Sequence, residues 1–153
     1  MILTGDNIVE MCSGLIHEPK QKKKSSLHLT VKSIKKIISK GSLDFGGSEE
    51  EAADLEAIKP KPEKPDDKYG WWDLQGGTYI VFFNEELSIK ESGMGFILPL
   101  ERLLGAGATL APRVVMRNDE EGRGLFSLLT VGSGGLKIKE NSRIAELVIL
   151  RNE

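Results

Sequence analysis

The side chains that could do chemistry in this sequence are few, and most of them are charged. The acidic run 119–121 consists of consecutive carboxylates, which are ligands that Mg²⁺ prefers; an exposed acidic turn is the alternative. Arg143 could bind a phosphate, pair with a neighbouring acid or cap a subunit contact. His28 could be a pH-sensitive contact or a partly buried strand histidine. Cys12 is the only cysteine, which excludes an intrachain disulfide framework and a cysteine-based zinc cluster.

Two further runs could contact a ligand. Trp71–Trp72 could stack a base or form a partner surface, or it could pack at a subunit interface or over the loop. Lys22–Lys24 could touch nucleic acid, but the net charge is −2 and no aromatic residue interrupts the run. We therefore interpret the lysines as a solvated loop and expect no nucleic-acid partner.

The composition is typical of a globular protein. The 153 residues fit one domain, and 39% of them are apolar and 29% charged. No stretch approaches the roughly 20 apolar residues of a membrane span, and the N-terminus does not resemble a secretory signal. We expect a cytoplasmic protein with no membrane partner. Fifteen lysines beside two glutamines are a composition found in thermophiles.

The elements that must position these residues are mostly strands. Residues 2–11 indicate a short helix capped by Thr4 or Asp6, and Leu27, Leu29 and Val31 alternate with polar residues as in a strand. Glycine-punctuated apolar runs over 69–150 predict an all-β sandwich or barrel.

The segment 46–68 differs from the rest because it is rich in acids and proline. Residues 49–57 could form one or two helical turns, whereas the proline run 60–65 cannot. We expect an exposed or mobile excursion from a single domain that spans residues 1–153.

Five segments, in the same order, resemble the dUTPase/dCTP deaminase superfamily and especially its archaeal, deaminase-like branch. They are the opening helix, the first core strand, a strand pair similar to "L-x-P-G-x-Y … N-E", the end of a serine motif, and C-terminal strands ending near "R-I-A-Q-L-V". In this chain they fall on residues 1–8, 26–31, 74–85, 104–110 and 127–148.

The resemblance implies a β-clip or distorted jelly-roll-like fold with a short N-terminal helix. It also implies a homotrimer, or an assembly of trimers, with active sites between subunits. In the family an Arg-Ser-Ser motif binds phosphates, a hairpin Asp activates water in the diphosphatases, and a nearby Glu serves the deaminases. Mg²⁺ accompanies the triphosphate, so we expect no resident metal and Mg²⁺ only with a bound nucleotide.

Carried onto this sequence, the motifs that perform chemistry are altered. The Arg-Ser-Ser motif falls on 100–102 (Leu-Glu-Arg), and the hairpin Asp falls on Met116. Methionine cannot deprotonate water, and Glu101 would repel phosphate. Asp119 lies three residues later and could be brought inward by a register shift. His28 replaces the first-strand Asp, and Glu146 replaces the closing Gln.

The positions left to bind a nucleotide are mainly cationic. No catalytic residue is assigned, with Asp119 and Glu85 as the fallback candidates for a base. The candidate nucleotide-binding residues are Arg102, Gly107, Thr109, Arg113, Arg117, Arg143 and Glu146.

Three functions follow from this pattern. The first is a catalytically silent or impaired member that binds a deoxynucleoside triphosphate, or that regulates or partners an active paralogue. The second is an active dUTP diphosphatase or dCTP deaminase with rearranged site residues. The third is a protein-interaction scaffold that uses residues 46–72 and acts outside nucleotide metabolism.

Overall fold

The computed structural model describes residues 1–89, 93–116 and 124–152, and these ranges form a mainly β structure. The three short helices are α1 (Gly5–Glu10), α2 (Glu18–Gln21) and α3 (Glu101–Gly105). The strands are β1 (Cys12–Ser13), β2 (Leu27–Ile37), β3 (Leu55–Ala57), β4 (Trp71–Leu74), β5 (Gly77–Phe83), β6 (Glu86–Leu87), β7 (Gly93–Pro99), β8 (Ala108–Leu110), β9 (Arg113–Met116), β10 (Phe126–Val131), β11 (Leu136–Lys139) and β12 (Arg143–Arg151).

One eight-stranded antiparallel sheet forms the body of the protein. Its order is β8-β10-β5-β2-β12-β7-β9, with β3 added to the far end of β2. The outermost strands β8 and β9 are joined by only Ala111–Pro112, and the Ala111 N–H bonds to Leu128 O of β10 at 2.9 Å. The sheet is therefore curled, and the predicted mainly β, jelly-roll-like fold is confirmed.

Alternation along the strands builds the core. Leu27, Leu29 and Val31 of β2 are 0% exposed, as the alternating pattern predicted. Trp72 of β4 fills the end of the core at 2% exposed, and its indole N–H donates to Ile58 O at 2.7 Å. Burial of these faces against one another fixes the register of the sheet.

The N-terminal helix begins where the sequence predicted. Thr4 is the N-cap of α1 and accepts a hydrogen bond from the Asn7 N–H at 3.2 Å, which satisfies one of the free donors of the first turn. Among the described residues no helix is long and apolar enough to cross a membrane.

The segment after β2 forms a two-stranded ribbon that extends the sheet. The Ile38 N–H bonds to Asp54 O, and Ser42 pairs with Glu51 in both directions. The helical turns considered for residues 49–57 are therefore wrong at Leu55–Ala57, which form β3. The exposed edge of β2 offers backbone partners along its length, and a helix of one or two turns is marginal on its own.

Candidate functional site

A small cleft lies between α3, β11 and the start of β12. Its volume is about 240 Å³. The rim carries Arg102, Lys139 and Arg143, three cations from three different elements. The full lining comprises Trp71, Arg102, Leu103, Ala106, Leu136, Lys137, Ile138, Lys139, Ser142, Arg143 and Ile144.

Arg143 is held in the cleft by neutral acceptors. It begins β12, beside a β-bulge between Arg143 and Ala145 in the pairing with β2. One guanidinium nitrogen donates to Lys20 O at 3.3 Å and lies 3.2 Å from His28 Nδ1. Because arginine can only donate, this geometry requires a neutral His28 with its proton on Nε2. Neither partner cancels the charge of Arg143.

The pKa of His28 is lowered by burial and by the positive charges around it. That pKa is lowered to about 4, mainly by burial and then by the nearby charges of Lys23, Arg143 and Arg102, in that order. The histidine is therefore neutral near pH 7, as the contact with Arg143 requires. Glu146 lies directly across from His28 in the β12–β2 register. Of the predicted residues, Arg143 contacts His28, Glu146 is its register partner on β12, and the charge of Arg102 lowers its pKa.

Trp71 forms the opposite wall of the cleft beneath two lysines. Lys137 Nζ lies 4.7 Å and Lys139 Nζ 5.4 Å from the centre of its ring. Lys137 is paired with the carboxylate of Glu63, which comes from the proline-rich segment. The β11–β4 register, in which Lys139 lies opposite Trp71, brings these groups together.

The first two residues at the expected phosphate motif, Leu100 and Glu101, do not offer a side-chain donor to phosphate. Leu100 is 9% exposed, is the N-cap of α3 and makes no side-chain capping bond, while its N–H bonds to Ile144 O at 2.9 Å. Glu101 is exposed in the first turn of α3. Arg102, the third residue of the motif, is the one that reaches the cleft.

Met116 lies on an exposed apolar face formed by β7, β9 and β12. It is 47% exposed and is aligned in register with Met94 and, beyond it, Leu150. Phe96, Val114 and Val148 form the next row of the same face, which we call the outer apolar face (Met94, Phe96, Val114, Met116, Val148 and Leu150). The predicted residues Arg117 and Asp119 lie outside the described residues.

Glu85 is buried, and its carboxylate accepts three hydrogen bonds. It is 0% exposed, and its carboxylate accepts from the Thr30 N–H at 2.7 Å, the Thr30 hydroxyl at 2.5 Å and Gln21 Nε2 at 2.9 Å. Burial raises the pKa of Glu85, while the hydrogen bonds from Thr30 and Gln21 oppose the rise. A general base must reach the proton it abstracts. This carboxylate instead joins α2 to β2.

The other predicted residues lie at the β8–β9 end of the sheet. Gly107 precedes β8 with a φ of +94°, and Thr109 is exposed on β8 opposite Thr130. Arg113 stacks on the Phe126 ring at 4.1 Å and donates to Phe126 O at 2.9 Å. None of the three lines the cleft. Within the described ranges, no group of three or more histidine, cysteine or acidic side chains could hold a metal ion.

Lysines on β11 were missed by the sequence argument. Lys137 and Lys139 alternate with Leu136 and Ile138, so the strand pattern places both lysines on one exposed face. That alternation was a usable signal, but the pairing of β11 with Trp71 was not visible in it.

The described residues form a mainly β protein with three cationic side chains at one cleft, and comparisons with known proteins bear on its fold and family. No protein-family model matches the sequence. The chain is 35% identical over 124 residues to a "probable deoxyuridine 5′-triphosphate nucleotidohydrolase" of Methanosarcina acetivorans, covering 81% of this chain and 68% of that protein. A protein of the same name from Aeropyrum pernix is 31% identical over 153 residues, covering 100% of this chain and 90% of that protein.

A solved structure shares the fold. It is a 2′-deoxycytidine 5′-triphosphate deaminase from Agrobacterium tumefaciens, with a TM-score of 0.65 at 12% identity, and the match covers 97% of this chain and 47% of the deaminase chain. The chain belongs to the dUTPase/dCTP deaminase superfamily. The resemblance found in the sequence is confirmed.

Proposed function

We propose that this protein binds the triphosphate of a pyrimidine deoxynucleotide at the cleft and that its catalysis is silent or strongly impaired. The observation that carries the proposal is the convergence of Arg102, Lys139 and Arg143 on one cleft. In the described part of the chain none of the three forms an ion pair with an acid. Charge-assisted bonds from guanidinium groups to phosphate are among the stronger polar contacts in proteins.

Impaired catalysis is supported by what stands at the positions of the family's chemistry. Leu100 and Met116 offer no donor and no base, and Glu101 is an exposed negative charge beside the predicted phosphate position. We further propose that Glu85 is structural, because its carboxylate is buried and accepts three hydrogen bonds. A regulatory subunit, or a partner of an active paralogue, is the role consistent with binding without turnover.

We also propose a homotrimer that packs through the outer apolar face. On this face Val114 is 49% and Met116 47% exposed, and Ile2, which bridges to Leu150 at its edge, is 54% exposed. Contiguous apolar surface of this kind marks an interaction site. Membership in a superfamily whose members are generally trimers supports a second and third copy of this chain as the occupants. Mg²⁺ would arrive with the nucleotide.

An active dUTP diphosphatase is the second candidate. The observation that favours it is the name of the relatives, probable dUTP nucleotidohydrolases at 31–35% identity. In that case Asp119 would be the base, and its replacement by alanine would abolish pyrophosphate release while leaving nucleotide affinity in place.

An interaction module is a third candidate, favoured by the tip of the ribbon. Leu43 is 84% exposed and Phe45 is completely exposed. The carboxylate of Asp44 accepts hydrogen bonds from the N–H groups of Gly47 and Glu49, which shapes the turn. If this tip docks a partner, the double variant L43S/F45S would lose the partner and keep the stability of the chain.

Calorimetric titration with dUTP and dCTP in the presence of Mg²⁺ tests the binding proposal. Arg143→Gln should weaken binding by about 10-fold or more, since a hydrogen bond to a charged group contributes about 1.5–3 kcal/mol. Arg151→Gln, at the far end of the same strand, is the matched control and should change affinity less than twofold. Equal affinity of the two variants would contradict the assignment of the cleft.

A further inference from the structure

The turn between β11 and β12 leads directly into Arg143, and its backbone is unusual. Asn141 has a φ of +66°, and it is the only residue other than glycine with a positive φ in the described part of the chain. Asparagine tolerates this left-handed conformation better than most side chains do, but still at a cost in energy. Contacts around the turn must therefore hold Asn141 in place.

Backbone hydrogen bonds fix the turn beside β2. The Asn141 N–H donates to Val31 O at 2.8 Å, and the Val31 N–H donates to Ser142 O at 3.0 Å. Ser142 also closes the turn, because its N–H and its hydroxyl both donate to Lys139 O, at 3.1 and 2.7 Å. None of these bonds uses the side chain of Asn141.

The side chain of Asn141 is held by Asn84, the residue that follows β5. Asn84 Nδ2 donates to Asn141 Oδ1 and to the Thr30 hydroxyl, both at 2.9 Å. The Asn84 N–H donates to Thr30 O at 3.0 Å, and Thr30 is 2% exposed. Asn84 therefore ties the turn before Arg143 to a buried residue of β2.

The orientation of the Asn84 amide is set by the buried carboxylate of Glu85. The Thr30 hydroxyl has one proton, which it donates to Glu85 at 2.5 Å, so it accepts from Asn84 Nδ2. The same nitrogen lies 3.5 Å from Thr30 O, which only accepts and so disfavours the flipped amide. The nitrogen of Asn84 is thus turned towards the oxygen of Asn141.

We propose that Asn84 is a positioning residue for the cleft, because it holds the Asn141 turn in the conformation that directs Arg143 to its contacts. Those contacts are Lys20 O at 3.3 Å and His28 Nδ1 at 3.2 Å. Asn84 is not among the residues that line the cleft. This inference rests on the nucleotide-binding function proposed above and names a residue outside the site on which the site depends.

Two measurements on Asn84→Ala test the positioning role. Calorimetric titration with dUTP and Mg²⁺ should show affinity weakened about threefold to tenfold, the range that one hydrogen bond supports. An NMR titration of the ligand-free protein should show a raised His28 pKa, as expected for Arg143→Gln, because the charge of Arg143 moves away from the ring. A loss of stability alone would leave the pKa of the folded protein unchanged.

Asn141→Gly separates the side-chain bond from the backbone conformation. Glycine adopts a φ of +66° without strain but lacks the oxygen that accepts from Asn84. This variant should reproduce the effects of Asn84→Ala on affinity and on the His28 pKa, and the double variant should add nothing further. It also leaves the Thr30 and Glu85 contacts of Asn84 in place, so it provides both readouts if Asn84→Ala does not fold.

Ile149→Val is the stability control. Ile149 is 1% exposed and lies opposite Gly95, six residues beyond Arg143 on the same strand. The substitution should lower the melting temperature while leaving dUTP affinity and the His28 pKa as in the wild type.

The outcomes separate the positioning role from the proposed function. Wild-type affinity and a wild-type His28 pKa in Asn84→Ala would overturn the positioning role and leave nucleotide binding standing. Additive effects of Asn84→Ala and Asn141→Gly would overturn the route through the turn. If the wild type does not bind dUTP but Asn84→Ala still raises the His28 pKa, the nucleotide function fails and the positioning of Arg143 is supported.

Discussion

Replacement of Glu85 by alanine would remove the acceptor shared by three buried donors, although Gln21 Nε2 would keep its second hydrogen bond to His28 O. The three donors are the Thr30 N–H, the Thr30 hydroxyl and Gln21 Nε2, at 2.7, 2.5 and 2.9 Å from the carboxylate. Gln21 is 1% exposed and also accepts from the N–H groups of Ile16 and His17. The carboxylate therefore closes a network that anchors α2 to the sheet.

The size of the effect follows from the number of orphaned groups. Each buried donor left unpaired costs about 1–3 kcal/mol, and the three costs are not additive because the groups share one network. We expect Glu85→Ala to lower the free energy of unfolding by about 3–5 kcal/mol. For a chain of this length, the melting temperature would fall by roughly 6–20 °C. Glu85→Gln keeps the shape and should lose about 1–3 kcal/mol.

Urea unfolding, followed by the fluorescence of the buried Trp72, measures this difference at one fixed protomer concentration. The adjacent and exposed Glu86 is the matched control, and Glu86→Ala should change the free energy by no more than about 0.5 kcal/mol. If Glu85→Ala is as stable as Glu86→Ala, the structural role is wrong. Loss of turnover in a fully stable Glu85→Gln would instead identify a catalytic base.

Three other perturbations have defined outcomes. An NMR titration should give His28 a pKa of about 4, and Arg143→Gln should raise that pKa. The free energy of unfolding should fall as the pH drops from 6.5 to about 4, because the histidine of the unfolded chain takes up a proton at a higher pH than that of the folded chain. An unchanged His28 pKa in the variant would contradict the contact between His28 and Arg143. Val114→Glu should break a trimer of about 50 kDa (three chains of 16.8 kDa) in analytical ultracentrifugation, whereas Thr130→Glu on an exposed polar row should not. Gly14→Ala should cost more than about 1 kcal/mol in urea unfolding, since φ is +80° and the new Cβ would lie 2.4 Å from a backbone oxygen; wild-type stability would refute the strain.

The strands were predictable because their signal is local. Alternation identified the buried face of β2, and Thr4, one of the two predicted cap candidates, is the N-cap of α1. The turns expected at 49–57 failed because the edge of β2, which is distant in sequence, determines the structure there. Helix propensity predicts secondary structure poorly where an unpaired strand edge can hydrogen-bond the same backbone groups.

The site was only partly predictable for the same reason. Arg102 and Arg143 were found from motif spacing, and the structure brings them to one cleft. Lys139 and Trp71 meet only through the β11–β4 pairing, across more than 60 residues of sequence. For Glu85, the sequence showed a carboxylate in a motif but could not show that Gln21 and Thr30 enclose it.

Titration of dUTP with Mg²⁺ into the wild-type protein, with pyrophosphate release followed in the same sample, tests the central claim most directly. We predict saturable binding that Arg143→Gln weakens about 10-fold or more, with pyrophosphate release far below one turnover per second. Absence of binding, or turnover in the ordinary enzymatic range of about 1–1,000 per second, would contradict the proposal of a nucleotide-binding protein with impaired catalysis.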